Sequence, residues 1–147
     1  MDSSFVAEND TGRTRLAALV ATLTDADMET TMEGGWTIAA TLAHLAFWAR
    51  LHKAEIDHWK CGQGQPAEEP DRSADDLNDA LLPEWRALPS RTAARLAIEA
   101  AEAVDREVSE VDGTTVEEIV SKDKSWLLHR HWHRREHLDQ IERALRG

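Results

Sequence analysis

The residues of this chain best suited to chemistry are its histidines. There are seven, and four of them, His129, His131, His133 and His137, fall in the last stretch, Trp126–Gly147. His129, His133 and His137 are spaced i, i+4, i+8, and on a helix of 3.6 residues per turn they form one stripe drifting about 40° per step. Imidazoles on neighbouring turns can aim ring nitrogens at one point, as helical His pairs do in metal sites. A metal bound in protein usually has three or more protein ligands, so another must come from elsewhere in the chain. His44, near the start of a second helical segment, is the candidate. If the two helices are neighbours, His44, His133 and His137 converge at one end of a helical core. By helical geometry alone His129 is as good a partner of His133 as His137 is. Neutral imidazole suits Zn, Ni, Fe or Cu, and three ligands leave open positions for water or substrate.

Other residues qualify this picture. Trp48 lies one turn after His44; it is either a core residue or an aromatic wall for a substrate. Arg134 can reach an anionic substrate or pair with surface acids. His52 sits in an apolar seam and reads as a core histidine satisfied by a neighbour. Glu55 is about 16 Å along the helix from His44 at 1.5 Å per residue, too far to share a metal, and is expected to pair with a basic residue. His58, His131 and Trp132 face elsewhere. Glu136 and Asp139 are near enough in sequence to orient a ligand, but nothing singles either out. Cys61 has no surroundings that would activate a thiolate. The chain has no G-x-S-x-G, no Gly-rich phosphate loop and no H-E-x-x-H; the order His133-Arg134-Arg135-Glu136-His137 is not that of a zinc protease. No catalytic acid, base or nucleophile is assigned.

The elements that must position these residues follow from hydrophobic periodicity. Leu16, Leu19, Val20 and Leu23 predict an amphipathic helix over residues 13–24 with Thr11 as N-cap and Gly12 behind it. Asp25–Gly35 is aperiodic and ends in Gly34-Gly35, a loop. Ile38–Lys60 is the second helix, capped by Thr37 with Trp36 packing back. Its Ile38, Leu42, Leu45, Ala49, His52, Ile56 and Trp59 make the 3–4 seam of helices packed nearly antiparallel. Cys61–Pro70 is a Gly/Pro/Gln-rich connection. Ser73 with Asp76 opens a short helix, Ala74–Leu82, which Pro83 and Pro89 should interrupt. Leu96, Ala100, Val104, Val108 and Val111 stripe a third long helix, Arg91–Val111, ended by Asp112-Gly113. Thr114–Ser125 shows only a turn of helix and a loop. Trp126–Gly147 is the fourth long helix, with Leu138, Ile141 and Leu145 on its buried face. Four long amphipathic segments without period-two alternation predict an all-α four-helix bundle with a short extra helix between the second and third long ones, residues 1–147 forming a single domain.

Composition bounds the partners. A net charge of −11 argues against nucleic acid or an anionic membrane, both of which need a basic patch. No apolar run reaches the ~18–20 residues of a membrane span. The acidic opening MDSSFVAEND lacks a basic-then-apolar signal pattern, and a single cysteine fits a reducing compartment, so a cytoplasmic location is expected. With six Trp, two Phe and no Tyr, tryptophan must supply most of the aromatic core volume.

Trp36-Thr37 followed by His44-Leu45, with HLDQIERAL near the C-terminus, resembles the DinB/YfiT-like superfamily of metal-binding four-helix bundles. The chain is also similar to the N-terminal metal domain of mycothiol-dependent maleylpyruvate isomerases. The resemblance spans nearly the whole chain, including helix count, length and the segment that carries Asn78. It implies one ligand from the second helix and two from an H-x-x-x-H preceding Gln-Ile, which here are His44, His133 and His137. His129 is then left at the pocket rim, with Trp48 and Arg134 as further pocket residues. The resemblance implies a divalent metal, Zn or Ni, and a thiol S-transferase or isomerase. Such an enzyme would use a low-molecular-weight thiol such as mycothiol or bacillithiol against a small-molecule electrophile. Metal-assisted hydrolysis and non-enzymatic metal or small-ligand binding in stress response are the alternatives. Superfamily members often form homodimers, and the apolar residues of the first and third long helices leave room for one.

Overall fold

The computed structural model describes residues 3–64 and 73–147. Seven α-helices occur among them: α1 (Ser4–Thr22), α2 (Asp25–Met28), α3 (Ile38–Lys60), α4 (Ala74–Ala87), α5 (Ser90–Ser109), α6 (Gly113–Ser121) and α7 (His131–Arg146). The four long helices close a ring: α1 packs on α5 and α7, and α3 packs on the same two. This is the four-helix bundle expected from the periodicity, with α4 laid against α3 from outside.

The centre of the fold is α3. The Thr37 hydroxyl accepts from the Ala40 amide at 3.0 Å and stops its N-terminus. Ahead of it, the Met32 amide donates to the Trp36 carbonyl at 2.7 Å, and Gly34 turns the chain with φ +74°. From Ile38 to Ala46 every residue is buried, so this end of α3 is covered on all sides. Small side chains permit that. Ala39, Ala40, Ala43, Ala46 and Ala49 of α3 and Ala93, Ala94, Ala97, Ala100 and Ala101 of α5 are all buried, so the two backbones approach closely.

Several expectations need correction. The first helix begins at Ser4, not residue 13, and Thr11 lies inside it with its hydroxyl bonded back to the Ala7 carbonyl at 3.1 Å. Phe5, Asn9 and Leu16 form its buried face, and the polar Asn9 disguises the stripe. Gly12 is a close approach and not a cap neighbour: a Cβ there would lie 3.1 Å from the Cβ of His131. The short helix runs through Pro83 to Ala87. Its continuation carries Trp85, 5% exposed, against Trp36 and Phe47, and that burial outweighs the roughly 3 kcal/mol a proline costs inside a helix. The third long helix ends at Ser109, two residues short of Val111, and Asp112 does not stop it but starts α6, accepting from the Thr115 amide at 2.8 Å.

The last helix starts at His131, five residues later than its periodicity suggests. Ser125–Leu127 is a turn of 3-10 helix. Leu127 and Leu128 plunge into the core beside Phe5, Ile56 and Ile119. The Leu128 carbonyl is taken by the Asn9 side chain at 2.8 Å. Of the Cys61–Pro70 connection, residues 65–70 lie outside the described residues.

Candidate metal centre

The N-terminal halves of α3 and α7 deliver three imidazoles to one place. His44 Nε2 lies 3.0 Å from His133 Nε2 and 3.1 Å from His137 Nε2, and the latter two are 3.0 Å apart. The three atoms form a nearly equilateral triangle. With metal–nitrogen bonds of about 2.0–2.1 Å, neighbouring ligand atoms sit about 2.9 Å apart on an octahedral face and about 3.3 Å apart in a tetrahedron. The observed spacing lies between the two, so the donors fit one ion that keeps open positions.

Three walls hold His44. The rings of Trp36 and Trp85 meet it edge-on, each with centroids 5.3 Å away, and Trp48 stands at 6.4 Å. His44 is 4% exposed. Its Nδ1 is buried and makes no hydrogen bond of normal geometry among the described residues, although the Asn78 side chain acts on the ring. His137 is oriented from its own helix: Gln140, one turn on, presents Oε1 to His137 Nδ1 at 2.8 Å. A carbonyl oxygen only accepts, so Nδ1 carries the proton and Nε2 offers its lone pair to the triangle's centre.

The same burial keeps the rings neutral. Burial, then the neighbouring His137, lowers the pKa of His44 to about 3. Burial, then His137 and His44, lowers that of His133 to about 2. His137 is lowered as well, again by burial first. A ring that resists protonation is a ready metal ligand.

Two clefts reach the triad. The larger, of about 950 Å³, runs past Met32, Trp36, Gln140 and Arg143. The smaller, of about 470 Å³, is lined by Trp48, His52, Trp126, His129 and Trp132. His44, His133, Asn78 and Glu136 border both. Trp48 therefore lines a cleft beside the triad, and its Nε1 donates to Asn78 Oδ1 at 2.8 Å. His129 also lines the smaller cleft but takes no place in the triad. It precedes α7, and its ring stacks on Trp132 at 4.3 Å with 6° between planes. Helical reasoning failed for His129 because the chain is not helical there.

Arg134 lines neither cleft. It points the other way, 5% exposed, with Nη2 2.6 Å from Asp105 Oδ1 and Nη1 2.8 Å from Asp105 Oδ2. Its neighbour His133 faces the triad, and on a helix the next residue turns away by about 100°. His52 is satisfied by Arg130, whose Nη2 donates to its Nδ1 at 2.7 Å. Glu55 pairs with Lys124 at 2.9 Å. Among the cleft residues that sequence reasoning did not assign are Asn78, Gln140 and Arg143. The i, i+3 spacing of His137 and Gln140 was a usable signal for one of them.

An all-helical bundle in which the buried His44 and the half-buried His133 and His137 could hold one metal ion defines a DinB-like domain. The chain belongs to the mycothiol maleylpyruvate isomerase N-terminal domain family, whose model matches residues 10–136. The matched span contains His44 and His133 and stops one residue before His137. No curated protein and no solved structure matches the chain. Among the described residues no helix is long and apolar enough to cross a membrane.

Proposed function

We propose that the chain binds a divalent metal, Zn or Ni, through His44, His133 and His137 and acts as a thiol S-transferase or isomerase. The observation that carries this is the triangle of Nε2 atoms, 3.0–3.1 Å on a side, built from rings that stay neutral and open to two clefts. Three neutral ligands leave the ion its full charge, which would lower the pKa of a bound thiol and hold it as thiolate. Membership of the mycothiol maleylpyruvate isomerase N-terminal domain family supports a low-molecular-weight thiol as co-substrate.

The chain's own residues then divide the work. Gln140 holds the His137 ring in the ligating tautomer. Trp36 and Trp85 exclude water behind His44. Arg143, at the larger cleft, supplies positive charge for a carboxylate such as a small thiol conjugate carries. Trp48 and Trp126 offer the smaller cleft apolar faces for an electrophile.

The test is metal analysis of protein purified without a polyhistidine tag, followed by an electrophile assay with and without a panel of thiols. His44→Ala, His133→Ala and His137→Ala should each lower bound metal by one equivalent, and turnover should require both metal and thiol. An unchanged metal content in His133→Ala refutes the site. Turnover without thiol assigns metal-assisted hydrolysis instead, and metal uptake without turnover assigns a binding protein.

A further inference from the structure

A second convergence of metal-ligating atoms lies where α1 meets the start of α7. Glu8 on α1 places Oε2 2.9 Å from His131 Nε2 and 4.0 Å from His129 Nδ1. One ligand atom from each of the three residues lies within 4.8 Å of the other two. We propose that Glu8, His129 and His131 form a second metal site, for a divalent transition ion such as Zn²⁺, Ni²⁺ or Cu²⁺, independent of the His44 triad.

The hydrogen bonds around His131 carry the argument. Asn9 Nδ2 donates to the Leu128 carbonyl at 2.8 Å, which fixes the amide's orientation. Asn9 Oδ1 must then accept, from the His131 amide at 3.0 Å and from His131 Nδ1 at 3.0 Å. With its proton on Nδ1, a neutral His131 ring offers a lone pair at Nε2 to a carboxylate oxygen 2.9 Å away. Two acceptors facing each other need a cation.

A proton on His131 Nε2 would satisfy that pair. It leaves His129 Nδ1 buried with no hydrogen-bond partner among the described residues. A metal ion satisfies all three groups at once. Two imidazoles and one carboxylate are a common ligand set for borderline divalent ions and leave positions open.

The site is also held in shape. The His129 ring is clamped between Trp132, stacked at 4.3 Å, and the edge of Phe5 at 5.7 Å. Asn9 does for His131 what Gln140 does for His137. Gly12 lets α1 come close enough for Glu8 to reach across. The Glu8 side chain is half exposed, so it can swing to complete the coordination and the ion can enter from solvent.

The experiment counts equivalents. Apo protein without a tag is titrated with Zn²⁺ in the wild type, in Glu8→Gln and in His129→Ala, with far-ultraviolet circular dichroism confirming the helical fold of each. Glu8→Gln and His129→Ala should each bind one equivalent fewer than the wild type. In a His44→Ala background the remaining equivalent should vanish when Glu8→Gln is added. If both single variants bind as many equivalents as the wild type, the second site is refuted, whatever happens at the triad. If the wild type binds one equivalent that Glu8→Gln removes and His133→Ala does not, the second site stands and the triad falls.

Discussion

Arg134 and Asp105 meet in a doubly hydrogen-bonded ion pair, 2.6 and 2.8 Å, sealed between α7 and α5. Arg13 of α1 adds a third bond to the same carboxylate at 2.8 Å. One buried acid thus ties three helices of the bundle, and it does so one residue away from His133. Asp105→Ala would leave the Arg134 guanidinium buried without a counter-charge, which typically costs about 3–5 kcal/mol. The expected result is an unfolding free energy lowered by that amount, read from a lower urea midpoint at unchanged m, together with weaker metal binding because α7 is no longer held. A variant as stable as the wild type would show that the pair does not position α7.

Gln140 is expected to act on the metal and hardly on the fold. Its Oε1 holds His137 Nδ1 at 2.8 Å from a partly exposed position. Loss of such a partner usually weakens metal binding about 10–100-fold. Gln140→Ala should show that loss in competition with a chromophoric chelator while its thermal midpoint, measured metal-free, barely moves. Gln140→Glu, which keeps an acceptor oxygen, should recover most of the affinity. Equal affinity in all three proteins would remove Gln140 from the site.

The pH dependence of the metal-free protein has a definite sign. His44 and His52 are lowered to about 3 and His133 to about 2, each by burial first. Between those values and the ordinary histidine pKa near 6.5, the unfolded chain binds protons that the folded chain refuses, so stability falls as pH falls. Each titrating ring contributes on the order of a kcal/mol per pH unit in that window. Urea midpoints at about pH 7.5 and about pH 5.5, above the ordinary carboxylate range, should differ clearly and in favour of the higher pH. The metal should be released over the same window, since protons compete for the same nitrogens. A midpoint unchanged down to about pH 5 would mean that the rings are not held neutral by burial.

Sequence periodicity captured the parts of the fold whose signals are local. The span Ile38–Lys60 was legible because Thr37 caps it and its apolar residues keep a 3–4 rhythm. Ser73 was legible for the same reason, accepting from the Asp76 amide. The convergence of His44, His133 and His137 was legible because i, i+4 histidines on one helix can meet only near a single point, although the choice of His137 over His129 needed the family resemblance. What stayed hidden depends on contacts between distant segments. Asn9 interrupts the apolar stripe of α1 yet is buried, because it bonds Leu128 and His131 more than a hundred residues away. Leu127 and Leu128 look like helix residues until the core between Phe5 and Ile119 claims them. Arg134 looked like a surface or substrate-facing charge, since no local rule announces a buried partner on α5.

Pro83 offers a test of how far packing overrides local preference. It lies in the interior of α4, exposed, and two residues before the buried Trp85. Proline removes a backbone donor and its ring crowds the preceding turn, a cost of roughly 3 kcal/mol in a helix interior. Pro83→Ala restores the donor without removing a buried side chain, but it also gives the unfolded chain back about 0.4–1 kcal/mol of conformational freedom. The balance predicts a protein more stable by about 2–2.6 kcal/mol, read as a raised urea midpoint. Metal affinity should not change, because Trp85 already stands against His44 in the native fold, centroids 5.3 Å apart. A loss of stability in Pro83→Ala would mean that the ring helps aim α4 at the triad, and metal affinity should then fall with it.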